Sequence, residues 1–303
     1  MITPEYLTKG DKIGIVSPAG RIDSDKVDHA VSILEKHGLK VLPGSNVFNT
    51  HHRFAGTDDE RAEDLQKMLD NKDIKAIMCS RGGYGTIRIL SKLNFDGFIR
   101  SPKWIAGFSD ITILHSVLQS KLNTESIHAT MPKEFIADSK GMSVNSLLNV
   151  LFGKDPEYDL ESHKLNRKGN VKGVLAGGNL SVLYSLSGTP YEQDLRGKIL
   201  FIEDINEYLY HLDRVMINFK LRGILSGLSG LIVGAMNNMK DDDPSFGKTA
   251  YEIISEAVSD YDYPVCYGFS AGHINTNLAM ILGREIELDV KKDSTNIKFL
   301  DKK

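Results

Sequence analysis

Cysteine is scarce in this 303-residue chain: there are two, Cys79 and Cys266, and neither has metal-ligand spacing around it. That usage excludes a cysteine-built metal centre and suits a reducing cytoplasm. Tryptophan occurs once, at Trp104. No apolar run is long enough to span a bilayer, and the start, Met1-Ile2-Thr3-Pro4-Glu5, has no basic segment followed by an apolar one. A membrane is therefore not an expected partner, and the expected location is cytoplasmic. Excess positive charge is missing too: the net charge is -3, so nucleic acid is not expected to bind. Asp241-Asp242-Asp243 do not alternate as a calcium loop requires and are expected to form a solvated loop. No metal or cofactor is predicted.

Hydrophobic residues make up 41% of the chain and charged residues 25%, which is ordinary for a globular protein. The length suggests about two domains at roughly 150 residues each. The first half alternates short apolar runs with amphipathic helices. Ile13 to Val16, Leu39 to Leu42, Ile74 to Cys79 and Trp104 to Phe108 are predicted strands. Helices are predicted from Asp25 to His37, from Arg61 to Leu69 behind the capping box Thr57-Asp58-Asp59-Glu60, and from Thr86 to Leu93. This βαβα order predicts an α/β fold with a parallel sheet, whose ligand sits beyond the carboxyl ends of the strands. Residues 136–168 read as a connection containing one short helix at Val144 to Phe152. The second half carries strands at Val171 to Leu175, Lys198 to Ile202, Leu228 to Val233, Val265 to Tyr267, Ile281 to Val290 and Ile297 to Leu300. The predicted division is an N-terminal domain at 1–135, a linker at 136–168 and a C-terminal α/β domain at 169–303.

The stretch Trp104-Ile105-Ala106-Gly107-Phe108-Ser109-Asp110 ends an apolar run in Gly-x-Ser, and Ile111, Leu114 and Leu118 then recur at helical spacing. Strand, tight turn and helix in that order describe a nucleophile elbow, which lifts a serine hydroxyl clear of the backbone and aims helix N-terminal amides at a reacting carbonyl. An ordinary βα junction with Ser109 as helix N-cap fits the same stretch. The preceding strand ends in Ser80-Arg81-Gly82-Gly83-Tyr84-Gly85, where the Gly83 amide can serve with that of Asp110 as an oxyanion donor; a glycine turn kept for its dihedral freedom is the alternative.

A serine nucleophile needs a base and an acid. Among nine histidines, His29, His37, His51, His52, His163 and His211 fall on polar faces or loops, and His115 reads as a surface or packing residue. His128, at the end of a short strand, and His273, among small residues in Gly268-Phe269-Ser270-Ala271-Gly272-His273, are better placed. Glu203 ends a buried strand, where a carboxylate is costly without a partner. Ser270 fits Gly-x-Ser-x-Gly letter for letter, but only His273 follows it and no amphipathic helix comes after, so Ser109 ranks above it.

The motifs Ser80 to Gly85, Gly107 to Asp110, Gly177-Gly178-Asn179-Leu180, Phe201-Ile202-Glu203-Asp204 and Tyr267 to His273 together resemble the LD-carboxypeptidase family of serine peptidases, which includes muramoyl-tetrapeptide carboxypeptidases and microcin C self-immunity peptidases. The resemblance spans nearly the whole chain. It implies an N-terminal domain like class I glutamine amidotransferases, a separate C-terminal domain, a homodimer, and a triad shared between the domains: Ser109 as nucleophile, Glu203 as orienting acid and His273 as base. With serine at the elbow in place of the amidotransferase cysteine, glutaminase chemistry is disfavoured. Arg81 is assigned to the substrate's terminal carboxylate, which a guanidinium binds bidentately, with a structural salt bridge as the alternative. Gly82, Asn179 and His128 complete the expected substrate-binding set. The implied reaction is release of terminal D-alanine from a murein tetrapeptide during recycling of wall fragments. Cleavage of a peptidyl-nucleotide antibiotic and ligand binding by a non-catalytic two-lobed protein are the rival readings.

Overall fold

The computed structural model describes residues 1–300. Its strands are β1 (Lys12–Val16), β2 (Lys40–Pro43), β3 (Ile74–Cys79), β4 (Trp104–Gly107), β5 (Ser126–His128), β6 (Glu157–Glu161), β7 (Gly169–Asn179), β8 (Ile199–Ile205), β9 (Gly230–Asn237), β10 (Val265–Tyr267), β11 (Met280–Leu282), β12 (Glu285–Val290) and β13 (Ser294–Phe299). They form a six-stranded sheet in the order β11-β5-β4-β3-β1-β2 and a seven-stranded sheet in the order β10-β9-β8-β7-β12-β13-β6. In the first, β1 to β5 run parallel. In the second, β7 to β10 run parallel, and β12, β13 and β6 extend it antiparallel.

Side-chain alternation along the strands explains the layering. Ala76, Met78, Trp104 and Ala106 point into a core shared with Leu175, Ile199 and Phe201 of the second sheet. Their neighbours Ile77, Cys79 and Ile105 point to the opposite face of the first sheet, while Ala176, Leu200 and Ile202 point to the opposite face of the second. Strands covered on both faces carry unbroken apolar runs, which is why they stood out in the sequence. The predicted capping box is present: Thr57 accepts from the Glu60 amide and Glu60 reaches back to the Thr57 amide, opening the helix Asp58–Asp70. The helix predicted at Thr86 to Leu93 is instead a short α-turn, Thr86–Ile89, followed by a 3-10 turn, Leu90–Lys92.

Two segments are arranged differently from the sequence expectation. Residues 136–168, read as a connection with one short helix, carry the helix Met142–Leu151, which buries Val144, Leu147, Leu148 and Leu151 in the shared core, and also β6, an edge of the second sheet. The run Ile281 to Val290, read as one strand, breaks at Gly283, whose φ of +93° turns the chain. β11 pairs antiparallel with β5 in the first sheet and β12 with β7 in the second.

Arg284 locks this crossing. Its side chain is 2% exposed, that of Glu125 is 0%, and the guanidinium donates to both Glu125 oxygens at 2.9 and 2.8 Å, to Asp155 Oδ1 at 2.7 Å and to the Tyr6 hydroxyl at 3.0 Å. Breaking such a pair leaves a buried charge unmatched. Arg284→Met is expected to lower the unfolding free energy by about 3–5 kcal/mol in urea titrations, and Arg284→Met/Glu125→Leu to lower it less than the single change.

Candidate active site

Strand β4 leads through Phe108 into Ser109, whose φ of +64° is unusual for a residue with a Cβ, and then into the 3-10 turn Ser109–Ile111 and the helix Thr112–Ser120. The Ser109 hydroxyl caps no helix; it lies 3.1 Å from His273 Nε2. His273 Nδ1 lies 2.8 Å from Glu203 Oε2. Because a carboxylate only accepts, Nδ1 carries the ring proton and Nε2 is left to accept from the hydroxyl. The predicted serine, histidine and glutamate thus meet in one hydrogen-bonded chain, with Ser109 from the first sheet and Glu203 from the second.

Glu203 is fully buried near the carboxyl end of β8. Its Oε1 accepts from Asn179 Nδ2 at 3.2 Å, and the same amide nitrogen donates to Asp204 Oδ1 at 3.0 Å. Asn179, expected to touch substrate, is buried behind the triad and holds the acid in place. Asp204 also accepts from the Ser181 amide and hydroxyl at 2.9 and 2.7 Å; burial, with the charge of Glu203, raises its pKa to about 6. The Asn179 main-chain N–H donates to Thr112 Oγ1 at 3.0 Å, tying the helix Thr112–Ser120 to β7. Sequence reading passed over Asp204, Ser181 and Thr112. Two adjacent acids at the exit of a buried strand were the available signal for Asp204.

His273 is 19% exposed on its side chain. Burial disfavours its charged ring, but the bond to Glu203 and the charges of Glu203, Asp204 and Glu134 outweigh that and hold its pKa above the ordinary value. Its ring packs 4.8 Å from that of Phe108. Together with Phe108, Lys133, Glu134, Asn237, Ile274 and Asn275, it lines a cavity of about 490 Å³.

Gly82 touches Ser109 directly: a Cβ there would stand 2.7 Å from Ser109 Cβ and 3.3 Å from the Asp110 nitrogen. The Gly82 carbonyl accepts from the Gly20 amide at 3.2 Å and from Arg81 Nε at 3.3 Å. In a planar trans peptide this turns the following amide, that of Gly83, away from Gly20. Asp110 is buried and its Oδ2 accepts from the Thr86 amide at 2.8 Å, pinning the elbow to the next helical turn. The Arg81 guanidinium is held by main-chain oxygens, donating to Arg21 O at 2.8 Å as well as Gly82 O, and among the described residues it pairs with no carboxylate.

His128 does not line the pocket. It is 0% exposed, lies behind Phe108 with its ring 4.8 Å from that of Phe201, and among the described residues neither ring nitrogen has a partner. As an end residue of β5, it is covered by the C-terminal half, which a strand-end position in the sequence does not disclose. Burial holds its pKa well below the ordinary value. His115 is a packing residue: its Nε2 donates to Gly107 O and its Nδ1 accepts from the Ser126 hydroxyl, both at 2.9 Å, and burial lowers its pKa to about 4. Ser270 is followed by irregular chain and forms no elbow. Asp241 closes its own exposed turn through Ser245 and Phe246, and no cluster of three metal-ligating side chains exists among the described residues. No described helix is long and apolar enough to cross a membrane.

Residues 13–129 match the LD-carboxypeptidase N-terminal domain and residues 172–288 the LD-carboxypeptidase C-terminal domain. A probable murein peptide carboxypeptidase of Bacillus subtilis is 33% identical over 97% of this chain and 93% of its own length. The microcin C7 self-immunity protein MccF of Escherichia coli is 26% identical over 97% of this chain and 94% of its own. The crystal structure of muramoyltetrapeptide carboxypeptidase from Oxalobacter formigenes superposes with a TM-score of 0.87 at 29% identity, covering 96% of this chain and 99% of that one. With both domain models matched in order and on either side of the serine–histidine–glutamate contact, the chain belongs to the LD-carboxypeptidase family.

Proposed function

We propose that this protein is a serine-type L,D-carboxypeptidase that releases the terminal D-alanine of murein tetrapeptides, working as a cytoplasmic homodimer. The observation that carries the reading is the Ser109–His273–Glu203 chain beside a cavity of about 490 Å³. His273 Nε2 takes the Ser109 proton as the hydroxyl attacks the carbonyl of the diamino acid, and Glu203 holds the ring tautomer and stabilises the imidazolium that forms. The amides of Gly83 and Asp110 face the developing oxyanion. His273 then protonates the departing D-alanine nitrogen, and water clears the acyl-enzyme by the reverse sequence. Arg81, free of carboxylate partners among the described residues, receives the substrate's terminal carboxylate.

Mass spectrometry of lysine-type and diaminopimelate-type tetrapeptides incubated with the protein is expected to show loss of one alanine. Ser109→Ala is expected to cut turnover on the order of 10⁶-fold without unfolding the protein. Retention of near-wild-type activity would remove Ser109 from its role.

The raised pKa of His273 sets the pH profile. A base must be neutral, so kcat/KM should fall as pH drops through a value above the ordinary 6.5 or so. In Glu203→Gln the raising charge is gone while burial remains, so the acidic limb should move to lower pH as kcat falls; an unmoved limb contradicts the Glu203 role. Gly82→Ala, which places a methyl against Ser109, is expected to lower kcat by at least about 10²-fold with little change in thermal midpoint.

A further inference from the structure

The cavity wall beside His273 carries two adjacent side chains of opposite charge that take no part in the proton transfers or oxyanion contacts above. Lys133 and Glu134 lie in the helical turn Pro132–Phe135, and the Lys133 amide donates to Ser80 O at 3.0 Å, immediately before the loop that touches Ser109. The turn is thereby fixed to the reacting centre. Lys133 Nζ and Glu134 Oε1 stand 3.6 Å apart, a loose pair, and Glu134 Oε2 is shielded from water with no hydrogen-bond partner among the described residues. The Glu134 side chain as a whole is 28% exposed and lines the cavity, so beyond that loose pair its charge is open to a cationic group of a ligand. Burial raises the Glu134 pKa, while the charges of Lys133, His273 and Arg81 oppose that rise. Phe108 and Ile274 give the same cavity apolar walls.

A murein tetrapeptide places a diamino acid directly before the scissile bond. Its side chain leaves the reacting carbonyl as a methylene stem and ends in an ammonium, or in an ammonium and a carboxylate on one carbon. We propose that Lys133 and Glu134 form the specificity subsite for that side chain, with the stem between Phe108 and Ile274, the ammonium on Glu134 and the carboxylate of a zwitterionic terminus on Lys133. The subsite ranks zwitterionic termini above a simple ammonium, and that above a neutral terminus. It rests on the murein reading of the substrate.

Three tetrapeptides separate the two ideas, with meso-diaminopimelate, lysine or Nε-acetyl-lysine as third residue and kcat/KM for alanine release as readout. The wild type is expected to fall about tenfold at each step of that order, the size of one partly buried charged contact. Lys133→Met should collapse the first ratio toward one, and Glu134→Gln the second, with thermal melting confirming the fold. Parallel losses on all three peptides, with the ratios kept, would mean a merely structural role and overturn the subsite. The wild-type ratios test it even where a variant fails to fold: flat selectivity overturns the subsite alone, whereas release from none of the three overturns the murein reading and the subsite with it.

Discussion

A carboxylate with no contact with water, that of Glu203, governs the architecture of the site. Such a charge is tolerable only where donors replace its hydration, and here they come from a histidine far along the chain and from Asn179 at the end of the neighbouring strand. Asn179 is itself held by Asp204 and by Thr112, so Glu203, its support and the helix behind Ser109 are linked through one hydrogen-bonded network. The position of the imidazole over Ser109 follows from that network. A histidine on an irregular loop, with freedom to rotate, is thereby held in one tautomer and one direction.

The two sheets must hold their relative position for this to work, because Ser109 belongs to one and Glu203 to the other. The chain secures it by exchange: β11, from the C-terminal half, completes the edge of the first sheet, and two residues later β12 joins the second. Arg284, at that crossing, is matched by Glu125 from the first half and by Asp155 from the segment between. The shared apolar core then fills the space between the sheets, including the helix Met142–Leu151. Alignment of the triad is in this sense a property of the whole packing and not of any loop.

The environment also sets the three histidines near Ser109 apart. His115, His128 and His273 lie within one neighbourhood: the rings of His128 and His273 both pack against Phe108, and that of His115 against His128. Burial without an acid partner keeps the first two neutral, and one of them simply braces the Gly107 carbonyl. His273 alone of the three is given a carboxylate and an opening to the cavity. One residue type thus takes different roles according to desolvation and partner charge.

Much of this was legible in the sequence because it is local. The βα alternation, the Thr57–Glu60 capping box and the strand-turn-helix order around Ser109 depend on residue spacing over a few turns, and local spacing sets periodicity and capping directly. The motif order also carried the family, and with it Ser109, Glu203 and His273. What spacing leaves open is where a side chain points once distant segments meet. Which atoms surround the Ser109 hydroxyl, the burial of His128 and Asn179, and the division of Ile281 to Val290 between two sheets were set only by packing. The Ser109–His273 contact joins residues 164 positions apart, and the ring direction that makes it is set by Glu203 and the surrounding core. Sequence named the groups that could react; tertiary structure decided which of them were desolvated, paired and turned toward one another, because those properties belong to the space between segments and not to any segment alone.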